Sequence, residues 1–391
     1  MSTTPQSSRS GRFIRVQAGD EPYAAFHPNP LPPNPPLAID GDLQTLLDRA
    51  NQALGRLDGS ILLLPDPNRL LYAYVRKEAV LSSQIEGTQS SLSDLLLYEH
   101  ADAHTVPAGD VRETSNYVAA MDHGIRRLDD GFPLSLRLIR EVHGRLMQGT
   151  RGDERDPGEF RRSQNWLGGT RPGNARFVPP PAHEVIPAMG ALENFIHDEP
   201  ERTPVLVKAA LAHAQFETIH PFLDGNGRVG RLLITLLLYA EEVLSEPLLY
   251  LSLYLKRNRD TYYDHLQRVR THGAWEEWLR FFLEGVVDVT RGATETTRAI
   301  VEMIERDRHR VEQLGRATGS TLQVYDLLVN DLVTTIPTAA RSLPFSEPTV
   351  TGALRRLEDL GIARELTRRP RGRVYAYERY LDLLSEGTEQ D

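Results

Sequence analysis

Hydrophobic side chains recur every three or four residues through most of the chain from residue 41 onward. That spacing places them on one face of a helix, so it predicts a series of amphipathic α-helices. Residues 27–36 are instead rich in proline, which sustains neither a helix nor a strand ladder. We therefore predict an all-α fold that follows a disordered, proline-rich leader at residues 1–40.

Three later segments depart from this amphipathic pattern. Residues 226–242 are apolar nearly all round, which predicts a buried helix. Residues 150–181 are dominated by glycine, proline, arginine and aromatic residues, which indicates a long loop with a short β-hairpin. From about residue 318 the pattern gives a helix, a helix-turn-helix and two alternating strands around Arg368–Gly372. That order of elements is typical of a winged helix.

The patterns divide the chain into five predicted parts. They are the disordered leader at 1–40, an N-terminal helical domain at 41–110, a helical core at 111–292, a connector helix at 293–316, and a winged-helix domain at 317–391.

Composition excludes several classes of function. The chain has 391 residues, a formal net charge of −9 and no cysteine. The negative charge argues against a protein-wide nucleic-acid surface, and the lack of cysteine excludes disulfides, thiolate zinc sites and cysteine nucleophiles. The longest apolar run, Leu232–Ala240, is far short of the roughly 20 residues that span a bilayer. We expect a cytoplasmic protein without membrane contact, and the scarcity of lysine suggests a bacterial one.

One stretch, His220–Arg231, combines a base, a carboxylate, three glycines and two arginines: His-Pro-Phe-Leu-Asp-Gly-Asn-Gly-Arg-Val-Gly-Arg. Asn226 can cap the helix that begins there, and Gly225 and Gly227 allow a turn without side chains in the way. Backbone N–H groups at a helix N-terminus form an anion site. The stretch therefore predicts a binding loop for an anionic ligand.

The charged residues of this stretch indicate phosphate chemistry. Arg228 and Arg231 are three residues apart, so they share one helix face and can both bind phosphate oxygens. Asp224 can hold a magnesium ion that bridges phosphates, and His220 can accept a proton near neutral pH. Together they suit a nucleotide polyphosphate attacked by a hydroxyl.

A transition-metal site made by His213, His220 and Asp224 is a rival interpretation. It leaves the glycines and both arginines without a role. The stretch is also not a Walker A loop, because it lacks the Gly-Lys-Ser/Thr ending.

The stretch resembles the signature of the Fic (Fic/DOC) family, His-x-Phe-x-Asp/Glu-Gly-Asn-Gly-Arg-x-x-Arg, with every fixed position filled. The similarity extends from about Leu37 to Val289. It implies a helical core that transfers AMP from ATP to a Ser, Thr or Tyr hydroxyl of a target protein and releases pyrophosphate. ATP would be the substrate, with Mg²⁺ as the metal.

The resemblance also implies roles for individual residues. His220 would be the base that deprotonates the target hydroxyl, Asp224 the magnesium ligand and Phe222 a core anchor. The other motif residues would bind phosphates. An anion hole would be formed by Gly225, Asn226 and Gly227. Arg228 would bind the inner phosphates and Arg231 the γ-phosphate.

Two further sites follow from the same resemblance. A hairpin flap that docks the target chain by β-augmentation is expected at Ser163–Thr170, with Trp166, Leu167 and Gly168 at its centre. An aromatic pair beside the adenine is expected at Tyr262 and Tyr263, for which ordinary helix packing is the alternative.

The sequence Ser82-Ser-Gln-Ile-Glu86-Gly87 matches the family's inhibitory motif, Ser/Thr-x-x-x-Glu-Gly/Asn. Ser82 and Glu86 are four residues apart, hence on one helical face. In relatives with this layout the glutamate pairs with the second motif arginine, here Arg231. That pairing would remove the partner of the γ-phosphate, so ATP could not seat its α-phosphate in line.

The sequence as a whole predicts a self-inhibited protein adenylyltransferase that also modifies itself or removes AMP from its target. One alternative is a nucleotide-sensing transcriptional regulator that binds DNA through residues 348–360 of the winged helix. Another is a transferase of a different group, such as UMP or phosphocholine. A target protein is the expected partner, while DNA and a second copy of the chain stay open.

Overall fold

The computed structural model describes residues 9–18, 21–61, 67–100, 108–150, 154–367 and 372–388. Within them the chain is mostly helical, with small antiparallel sheets, as the periodicity predicts. Residues 368–371, at the predicted tip of the wing, lie outside the described residues.

The helices in chain order are α1 (Gly41–Ile61), α2 (Pro67–Ile85), α3 (Leu92–His100), α4 (Ala108–Asp129), α5 (Leu136–Met147), α6 (Ala182–Ile196), α7 (Val205–Ile219), α8 (Asn226–Ala240), α9 (Ser252–Arg257), α10 (Arg259–His272), α11 (Trp275–Glu312), α12 (Thr318–Asp331), α13 (Ile336–Ser342), α14 (Glu347–Asp359) and α15 (Glu378–Ser385). The strands are β1 (Gly11–Ala18), β2 (Glu21–Pro28), β3 (Val333–Thr335), β4 (Ala363–Glu365) and β5 (Val374–Tyr377).

Contacts group the chain into two compact units that are each discontinuous in sequence. The first unit consists of Met1–Gly55 and Asn116–Thr290, and the second of Arg56–Ser115 and Arg291–Asp391. This grouping differs from the five consecutive parts expected from the sequence. Residues 56–115 pack with residues 291–391, a long-range contact that periodicity along the sequence does not reveal.

The core of the first unit is built around α7 and α8. Residues 206–219 of α7 are buried throughout, and α8 is buried along nearly its whole length. The prediction of a buried helix from residue 226 is therefore confirmed. Helix α7 packs on α6, α8 and α10, and α5 packs on α6 and α8. This packing fixes the segment between α7 and α8 from several sides.

The expected disordered leader contains an ordered β-hairpin. Strands β1 and β2 pair antiparallel, with Gly11 opposite Pro28. Phe26 is fully buried against Phe13, at a ring-centroid distance of 5.1 Å, and its N–H donates to the carbonyl of Val178 at 2.9 Å. The prolines that suggested disorder follow the hairpin, so their effect on the backbone does not extend to residues 11–28.

The second unit contains a three-stranded sheet in the order β3-β5-β4. Both pairings are antiparallel, with Val333 opposite Ala376 and Ala363 opposite Tyr377. Helices α12, α13 and α14 pack together and α12 packs on the sheet, while α2 packs on α3, α12 and α15. Strand β3 lies directly before α13.

Within the described residues, no helix has the length and apolar character that crossing a membrane requires.

Candidate active site

His220 lies at the sharp turn between α7 and the loop that leads to α8. It caps α7 in the left-handed region, with φ 51° and ψ 61°, and its N–H donates to the Phe216 carbonyl at 2.9 Å. A non-glycine residue adopts this conformation only where its surroundings hold it there. The turn leaves the His220 side chain 15% exposed.

Two buried arginines bond to the end of α7 and to the turn that follows it. Arg161, from the 150–181 loop, donates Nε to the His220 carbonyl at 2.9 Å. Arg270, from α10, donates Nη2 to the Glu217 carbonyl at 3.0 Å and Nε to Thr218 Oγ1 at 3.2 Å. The last carbonyls of a helix have no hydrogen-bond donor within the helix, so these arginine side chains supply the donors.

The same surroundings keep the imidazole of His220 neutral. Burial, together with the positive charges of Arg270 and Arg161, lowers its pKa to about 3. The Glu217 carboxylate is 3.9 Å from His220 Nδ1, and that nitrogen has no hydrogen-bond partner among the described residues. A neutral imidazole at physiological pH is ready to accept a proton.

The loop between His220 and α8 is fastened by Asn226. Its side chain accepts the Phe222 N–H at 2.8 Å and donates to the Phe222 carbonyl at 2.9 Å. The sequence predicted that Asn226 caps the helix, but Gly225 holds the cap position at φ 74° and Asn226 is the first helical residue. Because its side chain is used by the loop, only its backbone remains for an anion.

Gly225 has no room for a side chain. An added Cβ would lie 2.7 Å from Met147 Sδ, and the positive φ disfavours any other residue. The backbone of the loop therefore approaches α5 closely. Gly227 lies in the first turn of α8.

Asp224 is the acidic residue of this loop, and its side chain is 40% exposed. Its Oδ1 accepts the Gly225 N–H at 2.7 Å, and its Oδ2 accepts from Arg155 Nη1 at 3.2 Å. One accessible carboxylate beside a helix N-terminus is what Mg²⁺ uses when substrate phosphates supply further ligands. The residues present therefore fit a magnesium ion at Asp224.

The two motif arginines are buried in the first turns of α8. Arg228 has Nη2 3.8 Å from Met147 Sδ and 4.0 Å from Asp224 Oδ1. Arg231 is 2% exposed and lies one turn further along the same face. Buried guanidinium groups on one face of a helix N-terminus make a strong site for a polyphosphate.

His213, on α7, is part of the core and not of a metal site. Its Nδ1 donates to the Gly230 carbonyl at 2.8 Å, so its Nε2 accepts from the Tyr262 hydroxyl at 2.9 Å. Both ring nitrogens are used, and burial lowers the pKa of His213 to about 4. Among the described residues, no three acidic or histidine side chains converge on a metal position. The rival transition-metal interpretation is not supported.

Tyr262 and Tyr263 do not form an exposed aromatic pair. Tyr262 is fully buried and hydrogen-bonded to His213, so its ring offers no face to a ligand. Its place beside the adenine stays a prediction, and its burial favours the alternative of helix packing. Tyr263, half-buried with its ring centroid 5.0 Å from that of Tyr262, keeps part of its surface accessible.

The expected flap is a loop with a single β-bridge. Leu167 pairs with Phe177, and a 3₁₀ turn over Pro172–Asn174 closes the connection. Trp166 is 39% exposed, and Gly168 adopts φ 67°. The bridge is shorter than the predicted hairpin because glycine and proline interrupt the pairing on both sides.

The inhibitory motif lies in the second unit, at the end of α2. Ser82 is buried in the helix, whereas Glu86 follows the last helical residue and is exposed. The N–H of Glu86 donates to the Ser83 carbonyl at 3.0 Å, as in a turn that ends a helix. The pairing of Glu86 with Arg231 stays a prediction.

Sequence reasoning missed three side chains that organise the site: His143, Arg161 and Arg270. His143, on α5, donates Nε2 to the Asp224 carbonyl at 3.1 Å and accepts the Gly158 N–H at Nδ1 at 2.8 Å. None of these residues lies in a motif, and an isolated arginine or histidine gives no signal in a single sequence.

The chain matches two family models. Residues 44–126 match the model described as Fic/DOC family N-terminal, and residues 133–238 match the model described as Fic/DOC family. The second match contains the whole stretch from His220 to Arg231.

Curated relatives carry the name protein adenylyltransferase Fic. The protein from Culex quinquefasciatus is 30% identical over 199 residues, which cover 48% of this chain and 37% of the relative. The protein from Drosophila yakuba is 27% identical over 288 residues, which cover 70% of this chain and 54% of the relative. The matched part of this chain thus spans about half or less of these relatives.

Two solved structures have a similar fold. A Fic family protein from Desulfovibrio desulfuricans superposes with a TM-score of 0.55 at 21% identity, covering 88% of this chain and 97% of that chain. A Fic domain containing signaling protein from Bacteroides thetaiotaomicron superposes with a TM-score of 0.51 at 18% identity, covering 64% and 97%.

Proposed function

Since the chain belongs to the Fic/DOC family over residues 44–126 and 133–238, we propose that it is a protein adenylyltransferase. It transfers AMP from ATP to a Ser, Thr or Tyr hydroxyl of a target protein and releases pyrophosphate. The observation that carries this proposal is the neutral imidazole of His220, held directly before a helix N-terminus that presents two buried arginines.

The reaction follows from the charges of the site. The target hydroxyl oxygen attacks the α-phosphorus of ATP while His220 accepts the hydroxyl proton. The bond between the α-phosphorus and the bridging oxygen breaks, and its electron pair leaves with pyrophosphate. Backbone N–H groups at the start of α8 stabilise the developing negative charge, because they are oriented before the reaction begins.

The arginines and Asp224 orient the nucleotide. Arg228 binds the inner phosphates and Arg231 the γ-phosphate, which places the pyrophosphate leaving group opposite the incoming hydroxyl. Asp224 would hold a magnesium ion, which would reduce the negative charge of the phosphates.

The docking of the target is proposed for residues 163–170. The backbone of a target chain adds by β-augmentation along the edge at Trp166 and Gly168, because the N–H and carbonyl of Leu167 are already bonded to Phe177 and Arg176. The exposed Trp166 supplies an apolar contact. The bridge between Leu167 and Phe177 supports this, because it shows that the segment already adopts a strand-like conformation.

Self-inhibition is proposed for Glu86. A carboxylate paired with Arg231 occupies the partner of the γ-phosphate and repels that phosphate. ATP then binds with its α-phosphate out of line with the target hydroxyl. The match to the inhibitory motif supports this, as does the exposed position of Glu86 after α2. The same carboxylate can orient a water for removal of AMP.

The C-terminal elements are proposed to be a winged helix that regulates α2. Their order, helix, strand, two helices and two strands, supports a winged helix. Gln84, two residues before Glu86, donates Nε2 to the Thr388 carbonyl at 3.0 Å, and α2 packs on α12 and α15. The acidic residues of α14, Glu347, Glu358 and Asp359, oppose a DNA duplex as its partner.

The test is a transfer assay with ATP labelled at the α-phosphate, using the wild-type chain and two variants. Glu86→Gly is expected to increase labelling of the chain itself and of lysate proteins, and adding His220→Ala is expected to abolish it. Label from the γ-phosphate serves as the control for phosphoryl transfer. Equal AMP labelling with and without His220 would refute the proposed function.

A further inference from the structure

Arg161 is a buried arginine of the 150–181 loop that no motif includes. It is 3% exposed, and burial lowers its pKa to about 10, so it keeps its charge at neutral pH. Burying a guanidinium group is costly unless its N–H groups are hydrogen-bonded. The contacts that satisfy it therefore indicate what the residue does.

Arg161 bonds to the catalytic turn at three points. Its Nε and Nη2 donate to the carbonyls of His220 and Ile219 at 2.9 and 3.3 Å, and its backbone N–H donates to the Pro221 carbonyl at 2.9 Å. The guanidinium group is planar and its donors have fixed directions. It therefore fixes the orientation of the peptide groups on both sides of the His220 Cα atom.

The same guanidinium group bonds to the loop that carries the docking segment. Its Nη1 donates to the Ser163 carbonyl at 3.2 Å, and its Nη2 donates to the Pro180 carbonyl at 2.5 Å. These carbonyls lie at the two ends of the segment that includes Trp166 and the Leu167 bridge. One side chain thus joins the docking segment to the residue proposed as the base.

Asn165 makes a second connection of the same kind. Its Nδ2 donates to the Phe222 carbonyl at 2.9 Å and to the His220 carbonyl at 3.3 Å. Asn165 directly precedes Trp166 in the chain. The His220 carbonyl is therefore a shared acceptor for two side chains of the loop, and its left-handed conformation is held from that side.

We propose that Arg161 and Asn165 are positioning residues that align the His220 imidazole with the hydroxyl of a docked target chain. The inference rests on the proposed AMP transfer. Asn165 belongs to the docking loop and Arg161 bonds to it, and the side chains of both residues bond to the catalytic turn. A target that shifts the loop therefore also shifts the base. A chain docked in the wrong register is then rejected at the chemical step and not at binding.

Electrostatics give Arg161 a second effect on His220. The charged groups around the imidazole are Arg161 on the loop, Arg270 on α10 and Glu217 on α7. Arg161 lowers the pKa of His220, so removing its charge raises that pKa. This effect separates Arg161 from a residue that only supports the fold.

The test compares Arg161→Gln, Arg161→Lys and Asn165→Ala in the Glu86→Gly background, with Arg162→Gln as the matched control. Arg162 is the adjacent, exposed arginine, so its variant changes the net charge equally. We expect kcat for modification of protein to fall about 100-fold for Arg161→Gln, as for a base displaced by about 1 Å. ATP binding is expected to stay within about twofold, because no phosphate-binding residue changes. The control keeps its activity.

The second readout is the titration of His220 by NMR. Its signal is identified among the 12 histidines by its loss in His220→Ala. The pKa of His220 is expected to rise in Arg161→Gln and to stay low in Arg161→Lys, which keeps the charge but loses the planar fork. A slow Arg161→Lys variant with an unchanged pKa supports the positioning role.

Two outcomes would overturn the inference. One is an activity loss that matches the loss of folded protein, with an unchanged His220 titration. The other is full activity of both Arg161→Gln and Asn165→Ala. If Arg161→Gln does not fold, Asn165→Ala decides through the same kcat and ATP-binding measurements. If no preparation transfers AMP, the proposed function fails. The pKa of His220 in Arg161→Gln then still tests whether Arg161 acts on the imidazole of His220.

Discussion

The rings of His143 and Phe222 stack face to face, with centroids 3.7 Å apart and 5° between their planes. The stack joins α5 to the loop between His220 and α8. His143 adds hydrogen bonds to the Asp224 carbonyl and the Gly158 N–H. A residue far from the motif in sequence therefore holds the backbone of Asp224, whose carboxylate is proposed to bind magnesium.

The variant His143→Phe tests this relationship, because it keeps a ring for the stack and loses both hydrogen bonds. The part-buried hydrogen bonds to Gly158 and Asp224 are lost, so we expect the free energy of unfolding to fall by about 1 kcal/mol. Urea unfolding of the variant measures this. The exposed His183, changed to Phe, is the control. Equal stability of the two variants would contradict the role of the hydrogen bonds.

Three histidines with lowered pKa values predict how stability depends on pH. Burial lowers the pKa of His143 and His213 to about 4, and that of His220 to about 3. In the unfolded chain each titrates near its ordinary value of about 6.5. Between these values the unfolded state binds more protons than the folded state, so stability falls as the pH falls.

The expected loss is about 2 kcal/mol for His213 alone between about pH 7.5 and pH 5. The carboxylates with lowered pKa values, such as Glu141 and Glu276, lose their contribution only below about pH 4.5, outside this window. Urea unfolding at the two pH values measures the loss. A stability that stays level or rises toward pH 5 would show that these imidazoles can be protonated in the folded state.

The bond between Gln84 and the Thr388 carbonyl predicts a link between the C-terminal elements and the inhibitory motif. Gln84→Ala removes this bond and the one from the same Nε2 to the Ser90 carbonyl at 3.0 Å, which weakens the hold on the end of α2 by about 1 kcal/mol. Under the proposed inhibition by Glu86, AMP transfer is expected to rise about fivefold. Hydrogen exchange of residues 80–86 reports the loosening directly.

The control for Gln84→Ala is Gln52→Ala, an exposed glutamine of α1. Faster hydrogen exchange with unchanged transfer would separate the hold on α2 from inhibition. Unchanged exchange in Gln84→Ala would mean that the hydrogen bonds of Gln84 to Ser90 and Thr388 do not hold α2.

The sequence by itself determined the helices and the chemistry of the stretch from His220 to Arg231. The helices follow from the spacing of apolar residues, which is a local property of the chain. The phosphate chemistry follows from the histidine, aspartate, glycines and arginines of these twelve positions. Their order along the chain is enough to place them at a helix N-terminus. The Fic/DOC resemblance rests on the same positions.

Only the tertiary structure decided which other residues serve that stretch. Arg161, Asn165 and His143 reach it from 55 to 81 positions away in sequence, and such contacts depend on packing and not on periodicity. The same reason explains the buried place of Tyr262 and the hairpin at residues 11–28. A single sequence records which side chains exist, whereas the packed fold decides which donors meet the carbonyls of one strained turn.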